Sequence, residues 1–268
     1  MPPIPRCAAF FIFRRMYQMK LKTIFFDVGD VLFNEDRLRF RILQSLVKAL
    51  QAQGQEWTLS KLIRVRERRA RYNDESFFHY DFAQELLGEE AFHAWFTGER
   101  YILTHKERYI HEILMPGMKE LLERLHCRYK LGIIANQPVE TEDALEYYGI
   151  LKYFDPQLIG ISDKVGLAKP EVTFFEWGLK NAGCKPDEAA MIGDRLEADI
   201  APANRVGMTS IWFIPEVADK GWVAQDAEEE QYLQVISHLP NWRRTPIRQM
   251  EHPDVVVKSS HEISDYLA

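Results

Sequence analysis

The sequence predicts an α/β protein: a doubly wound parallel sheet of the Rossmann type that carries an inserted, all-helical cap domain. Three long apolar runs contain little alternation with polar residues, which is typical of strands buried on both faces of a parallel sheet. These runs lie at residues 23–32, 131–136 and 189–194. Helical spacing in the stretches between them predicts right-handed crossovers.

Further elements follow in order along the predicted core, which comprises residues 21–33 and 115–268. Helices are predicted before the second and third apolar runs, two more strands near the end of the chain, and a closing helix after them. The two helices lie at residues 116–127 and 171–182, the two strands at 209–214 and 255–257, and the closing helix at 262–267. The irregular stretch 215–251, with Glu228 to Glu230 and Arg243-Arg244, is expected to be a surface insert that serves at most as a partner contact.

Residues 34–114 interrupt the core and are too long for a loop. Their apolar residues have helical spacing, as at Leu43, Leu46, Val47 and Leu50, so a helical cap is predicted. Basic residues cluster around Glu67, either as a solvated helix face or as a lid that attracts an anionic substrate. They are Lys61, Arg64, Arg66, Arg68, Arg69 and Arg71. The predicted polar contacts with the substrate are Arg68, Arg71 and Asn73.

Composition excludes several classes of protein. The chain has 268 residues, of which 46% are hydrophobic and 28% charged, so it is neither collagen-like nor disordered overall. A net charge of −6 provides no general attraction for nucleic acid or an anionic membrane. The three cysteines form no C-x-x-C motif, which favours a reducing, cytoplasmic location over a disulfide framework or zinc site.

The first twenty residues are expected to form a disordered extension. A short apolar run at 8–13 lies between basic residues and lacks a cleavage site, so it does not predict a signal peptide. Met19 stands directly before the first strand, which is compatible with a later start codon. No apolar run is long enough to predict a membrane-spanning helix.

Polar residues follow the ends of the predicted strands. Asp27 lies in the first run, Asn136 ends the second and Asp194 ends the third. The carboxyl ends of parallel strands meet at one edge of the sheet, where ligands bind, so these side chains are expected to lie together. Lys169 precedes a proline, and Asp199 follows Asp194 by five residues.

These motifs, in this order, resemble those of the haloacid dehalogenase superfamily of aspartate-nucleophile hydrolases. The stretch from Gly193 to Asp199, followed by residues 204–209, is its most diagnostic part. The resemblance covers residues 21–268, and the insertion at 34–114 resembles the family's helical first-type (C1) cap. It implies a phosphatase in which Asp27 attacks the phosphorus atom of a small phosphorylated substrate.

A carboxylate can attack a phosphate only if cations reduce their repulsion, which is roughly 4 kcal/mol for unit charges about 4 Å apart at an effective dielectric constant near 20. Asp27 and Asp194 offer oxygen ligands suited to Mg²⁺, and the resemblance implies the backbone carbonyl of Gly29 as a third ligand. Lys169 is placed to neutralise the nucleophile and to bind the phosphate. Asp199 is expected to orient water molecules on the metal.

Two positions depart from the family's pattern. The second residue after the nucleophile, usually an aspartate that serves as general acid and base, is Gly29. This type of catalysis contributes about 10²- to 10⁴-fold. Asp30 is expected to point to the opposite side of an extended backbone and not to replace it. The usual phosphate-binding Ser or Thr is Ala135. The resemblance still implies that Ala135 and Asn136 lie at the substrate, where the backbone N–H groups of Asn136 and Gln137 are expected to retain part of the phosphate site.

The leading hypothesis is therefore a Mg²⁺-dependent phosphatase of a small metabolite, slow toward alkyl phosphates because of Gly29. One alternative is a regulatory or binding protein that keeps the fold and the metal site but has little turnover. Another is a metal-free 2-haloacid dehalogenase, which needs no acid for its leaving group but would leave the charges of Asp194 and Asp199 uncompensated. Arg195 is expected to pair with a neighbouring acid, and no oligomeric state is predicted.

Overall fold

The computed structural model describes residues 20–72, 80–239, 246 and 248–267. Six parallel strands form the core sheet in the order β5-β4-β1-β6-β7-β8, and β2 and β3 form a small antiparallel pair. The strands are β1 (Thr23–Phe26), β2 (Phe33–Asn34), β3 (Ile113–Leu114), β4 (Lys130–Ala135), β5 (Ile159–Ile161), β6 (Ala189–Gly193), β7 (Thr209–Phe213) and β8 (Val255–Val257). The predicted doubly wound α/β fold is confirmed.

The α-helices lie on both faces of the sheet and in the insertion between β2 and β3, and one that follows β7 packs against that insertion. They are α1 (Asp36–Ala52), α2 (Leu59–Tyr72), α3 (Asp81–Leu87), α4 (Glu89–Thr97), α5 (Glu99–Tyr101), α6 (Arg108–His111), α7 (Met118–Leu125), α8 (Thr141–Tyr147), α9 (Ser162–Val165), α10 (Val172–Ala182), α11 (Ala201–Val206), α12 (Ala227–His238) and α13 (Ser260–Leu267). In the described part of the chain, no helix has both the length and the apolar character needed to cross a bilayer.

Strand β1 lies in the middle of the sheet and is buried along its whole length. Ile24 and Phe26 pack into the core on one face, whereas Phe25 packs into the core on the other. Because successive side chains of a strand point to opposite faces, a continuous apolar run requires both faces to be covered. The same reasoning accounts for β4 and β6, which flank β1 in parallel.

Helices α1 to α6 form the cap, which has a hydrophobic core of its own. Residues 73–79 of the insertion, and with them the predicted contact Asn73, lie outside the described residues. The predicted extension at residues 1–20 also lies outside them, apart from Lys20.

Residues 215–239, which follow β7, pack into the cap, so the expectation of a surface insert at 215–251 is wrong for this part of it. Met250, further along the segment, is exposed as expected. Trp222 and Tyr232 contact Phe40 of α1, with ring centroids 5.6 and 5.4 Å apart. Val217, Ile236 and other apolar residues of the segment belong to the same core cluster as the cap helices. Burial of this apolar surface joins the segment to the cap.

Candidate active site

The carboxyl ends of β1, β4 and β6 lie side by side and bring the predicted polar residues to one cavity of about 190 Å³. We call this the nucleophile cavity. Its wall includes Asp27, Asn136, Lys169 and Asp194 from the core, and Glu35 and Arg39 from the start of the cap. Asp27 is fixed at the end of β1 by its backbone N–H, which donates to Ile192 O at 2.9 Å.

Lys169 lies between two buried carboxylates. Its Nζ is 2.7 Å from Asp27 Oδ1 and 2.6 Å from Asp199 Oδ1. Burial alone would lower the pKa of Lys169, but the charges of Asp199 and Asp27 outweigh it and raise that pKa. The second Asp199 oxygen accepts the backbone N–H of Arg195 at 2.9 Å. Asp199 therefore holds the lysine beside the nucleophile.

Asn136 fixes the backbone of Lys169 from both sides. Its Nδ2 donates to Lys169 O at 2.8 Å, and its Oδ1 accepts from Lys169 N at 2.7 Å. Two expectations at this strand end need correction. The N–H of Gln137 donates to Ser162 Oγ at 3.0 Å and is not left for a phosphate. Ala135 is fully buried in the core rather than in the cavity wall, because it is still part of β4.

Asp194 supplies the strongest indication of a metal site. Carboxylate oxygens of Asp27, Asp194 and Asp199 lie within 4.8 Å of one another. Within the described ranges, the Asp194 carboxylate has no ion pair or hydrogen bond. Burial, followed by the charges of Asp30, Asp199 and Asp27, raises the pKa of Asp194 well above its ordinary value. Burial also raises the pKa of Asp27 to about 7, against the effect of Lys169.

The donor set fits a small, hard divalent cation. Three carboxylates face one ammonium group in the cluster, so negative charge is in excess, and Mg²⁺ prefers carboxylate oxygens to other protein ligands. Asp27 and Asp194 have an oxygen available for such an ion, whereas both oxygens of Asp199 accept hydrogen bonds already. Gly29 lies in the wall of the cavity, and its carbonyl remains a predicted ligand.

Asp30 does not point away from the site, contrary to the expectation from an extended backbone. Its φ of 56° lies in the left-handed region, so strand alternation does not apply to it, and the residue lines the nucleophile cavity. Lys220 Nζ and Arg39 Nη1 lie 2.8 and 2.6 Å from its carboxylate. Burial opposes ionisation, but Arg39 and Lys220 outweigh it and lower the pKa of Asp30. Asp30 is thus held as a charged partner of both bases.

A second cavity, of about 370 Å³, extends from the first into the cap. We call this the cap cavity. Arg100 contributes to its wall and lies over the rings of Phe96 and Tyr80, 4.0 and 4.6 Å from their centroids. The buried Nε of Arg100 has no hydrogen-bond partner among the described residues.

The basic residues of α2 do not line either cavity. Arg64, Arg68 and Arg71 are exposed, and Arg71 donates to Glu67 at 3.0 Å, which agrees with a solvated helix face. Arg66 departs from that expectation, because it is buried and lies 5.7 Å from the centroid of the Phe82 ring. Sequence reasoning missed Arg100, although it is a basic residue in an aromatic stretch of the cap. Arg195 does pair with a neighbouring acid as predicted, because its Nη2 lies 2.6 Å from Glu197 Oε1.

Comparison with known proteins agrees with this geometry. A family model described as haloacid dehalogenase-like hydrolase matches residues 21–207. A glyceraldehyde 3-phosphate phosphatase of Pyrococcus furiosus is 28% identical over 82% of this chain and 91% of its own length. The pyrimidine 5'-nucleotidase YjjG of Escherichia coli is 37% identical over 44% of this chain and 56% of its own. The crystal structure of a HAD phosphatase from Thermococcus onnurineus matches with a TM-score of 0.59 and 22% identity, over 92% of this chain and 98% of that one.

Proposed function

This chain belongs to the haloacid dehalogenase-like hydrolases, and we propose that it is a Mg²⁺-dependent phosphatase of a small phosphorylated metabolite. One observation carries the proposal: a buried lysine lies between Asp27 and Asp199, and the oxygens of these two carboxylates lie within 4.8 Å of the carboxylate of Asp194. Such a group of charges suits a nucleophile that must approach an anion.

In the proposed reaction, Asp27 attacks the phosphorus atom of the substrate. Lys169 stays protonated, keeps the Asp27 side chain in place and offsets part of the charge of the incoming phosphate. Asn136 and Asp199 hold Lys169 in position by the bonds described above. Bound Mg²⁺, held by Asp27 and Asp194, would screen the repulsion between the phosphate and the nucleophile.

The organic part of the substrate is proposed to occupy the cap cavity. That cavity shares four wall residues with the nucleophile cavity, so a phosphate near Asp27 would have its ester group directed toward the cap. The names of the relatives include a triose phosphate and a pyrimidine nucleotide, both of which are small phosphate esters. The volume of the cap cavity is compatible with a ligand of this size.

The test is a panel of phosphate esters assayed with Mg²⁺ or with EDTA, for the wild type and for Asp27→Asn. We expect turnover that requires both Mg²⁺ and Asp27. Mg²⁺ should also raise the melting temperature of the wild type, and do so less for Asp194→Asn, because a ligand that binds the folded state stabilises it.

Other results would favour the other hypotheses. Halide release from a 2-haloacid in EDTA would indicate a dehalogenase. Binding of beryllium fluoride without turnover of any ester would indicate a regulatory protein.

A further inference from the structure

Glu35 occupies the space beside Gly29, a residue that has no side chain of its own to fill it. A Cβ atom added to Gly29 would lie 2.7 Å from Glu35 Oε1 and 3.2 Å from Gln137 Nε2. An aspartate at position 29 would therefore direct its carboxyl group into the volume that the Glu35 carboxyl group fills. We propose that Glu35, six residues downstream, is the general acid and base of this enzyme. This inference rests on the phosphatase function proposed above.

A tight turn after β1 brings Glu35 back to this position. Asp30 N donates to Phe33 O at 2.7 Å, and Phe33 N donates to Val28 O at 3.0 Å. The chain thus makes one complete turn after Gly29, and the bridge between Gly29 and Phe33 is parallel. The left-handed backbone of Asp30 is part of this turn. Glu35 follows β2 and faces the glycine from the returning segment.

The location of Glu35 suits a group that transfers a proton to the leaving group. Four residues line both the nucleophile cavity and the cap cavity: Glu35, Arg39, Asn136 and Gln137. Glu35 is the only carboxylate among these four. In an ester whose phosphorus lies near Asp27 and whose organic part lies in the cap cavity, the bridging oxygen lies where the two cavities meet. A proton donor must be within hydrogen-bond reach of that oxygen.

Three N–H donors orient the Glu35 carboxylate. Its Oε1 accepts from Gln137 Nε2 at 3.2 Å and from Arg108, and its Oε2 accepts from Arg39 Nη2 at 2.9 Å. A carboxylate has about four acceptor positions, so about one remains for a proton. The side chain is only 14% exposed. It is therefore held in one orientation at the junction of the two cavities.

The proposed proton transfers balance over one turnover. First, an Asp27 oxygen bonds to phosphorus, the bond from phosphorus to the ester oxygen breaks, and Glu35 gives its proton to that oxygen, which leaves as an alcohol. Next, the oxygen of a water molecule bonds to phosphorus while Glu35 takes a proton from that water. The bond between phosphorus and Asp27 breaks, its electron pair returns to Asp27, and phosphate leaves. Glu35 is then protonated for the next substrate.

The test uses Glu35→Gln, which keeps the size of the side chain but does not exchange a proton. With an alkyl phosphate, we expect turnover to fall by about 10²- to 10⁴-fold. With p-nitrophenyl phosphate, the leaving group needs no proton, so the first step should remain near the wild-type rate while hydrolysis of phosphorylated Asp27 slows. Stopped-flow measurements should then show a burst of about one p-nitrophenolate per active site.

A second variant keeps the proposal testable if Glu35→Gln alters the cap. In Gly29→Asp/Glu35→Ala, the carboxyl group returns to position 29 and the space for it is free. We expect this variant to recover at least tenfold of the alkyl phosphate turnover lost in Glu35→Ala. The matched control is Gly29→Asn/Glu35→Ala, which has the same shape without a carboxyl group and should recover nothing.

The outcomes separate this inference from the function on which it rests. If the wild type shows no Asp27-dependent turnover, both are wrong. If the wild type is active and Glu35→Gln has wild-type turnover of alkyl phosphates, only the role of Glu35 is wrong. The role of Glu35 is also wrong if two results occur together. In the first, Glu35→Gln loses activity equally on the alkyl phosphate and on p-nitrophenyl phosphate, without a burst. In the second, Gly29→Asp/Glu35→Ala is as inactive as Gly29→Asn/Glu35→Ala, although the melting temperature of both is unchanged.

Discussion

Carboxylates of the nucleophile cavity differ in their tendency to ionise because their nearest partners differ. Asp30 touches two cations and has a lowered pKa, whereas Asp194 faces other acids and has a pKa well above its ordinary value. Burial opposes the charge of each. A cation bound next to Asp194 would supply the compensation that Lys220 and Arg39 give to Asp30. Acids of the same type thus take structural and metal-binding roles in one cavity.

Glu112 predicts a pH dependence of stability. It is fully buried beside Arg108, and burial raises its pKa to about 7 although Arg108 opposes this. The folded state therefore binds a proton that the unfolded state releases near pH 4.5. The free energy of unfolding should fall as pH rises from about 4.5 to 7, by on the order of 3 kcal/mol in total.

Urea denaturation at several pH values, for the wild type and for Glu112→Gln, measures this effect. The variant cannot ionise, so it should lose less stability than the wild type between pH 5 and 8. Equal losses in the two proteins would contradict a raised pKa of Glu112.

Short elements are the ones that the sequence predicts least well. Strand β5 has three residues and a glycine in the middle, so it forms no distinct apolar run, whereas β1, β4 and β6 are recognisable from theirs. The helical turn Val217–Lys220 places Lys220 beside Asp30, 190 residues earlier in the chain. Such a pairing has no local signal, because a buried lysine and an exposed one look alike in a sequence.

Substitution of Lys220 tests this connection. Its Nζ lies 2.8 and 2.9 Å from the buried carboxylates of Asp30 and Asp36. Lys220→Met should lower the free energy of unfolding by about 3–5 kcal/mol, since it removes one partner of a buried ionic cluster. Lys258→Met is the matched control, because Lys258 pairs with Glu216 at the surface and should cost less than about 1 kcal/mol. Equal, small losses would mean that Lys220 does not stabilise the junction.

At the scale of the whole molecule, the site lies between two parts of the chain that are predictable to different degrees. The core places Asp27, Asn136 and Asp194 together because the carboxyl ends of parallel strands share an edge, and the sequence is sufficient to predict this. The cap offers no such rule. Which face of each helix meets the core depends on packing, so Arg100 could not be distinguished from the exposed Arg68 by sequence alone.

Arg100 predicts a preference among substrates. It lines the cap cavity, and its buried Nε lacks a partner within the described residues. A second anionic group on the substrate would meet this guanidinium, and a hydrogen bond to a charged group contributes about 1.5–3 kcal/mol. Arg100→Met should therefore raise KM by about 10- to 100-fold for phosphate esters that carry a second carboxylate or phosphate, and much less for those without one.

Lys61→Met is a suitable comparison for this measurement. Lys61 lies on the outside of the cap, 4.4 Å from the centroid of the Trp57 ring, and its loss should leave KM unchanged for both kinds of ester. An equal change in KM for both kinds in Arg100→Met would contradict a second anionic group at this position.

Phosphorylation of Asp27 can be detected directly. The protein is mixed with Mg²⁺ and p-nitrophenyl phosphate, quenched in acid within milliseconds and digested for mass spectrometry. We predict one phosphoryl group on the peptide that contains Asp27, absent in Asp27→Asn and absent when EDTA replaces Mg²⁺. Release of phosphate at the wild-type rate by Asp27→Asn, or turnover with no phosphoryl group on that peptide, would show that Asp27 is not the nucleophile.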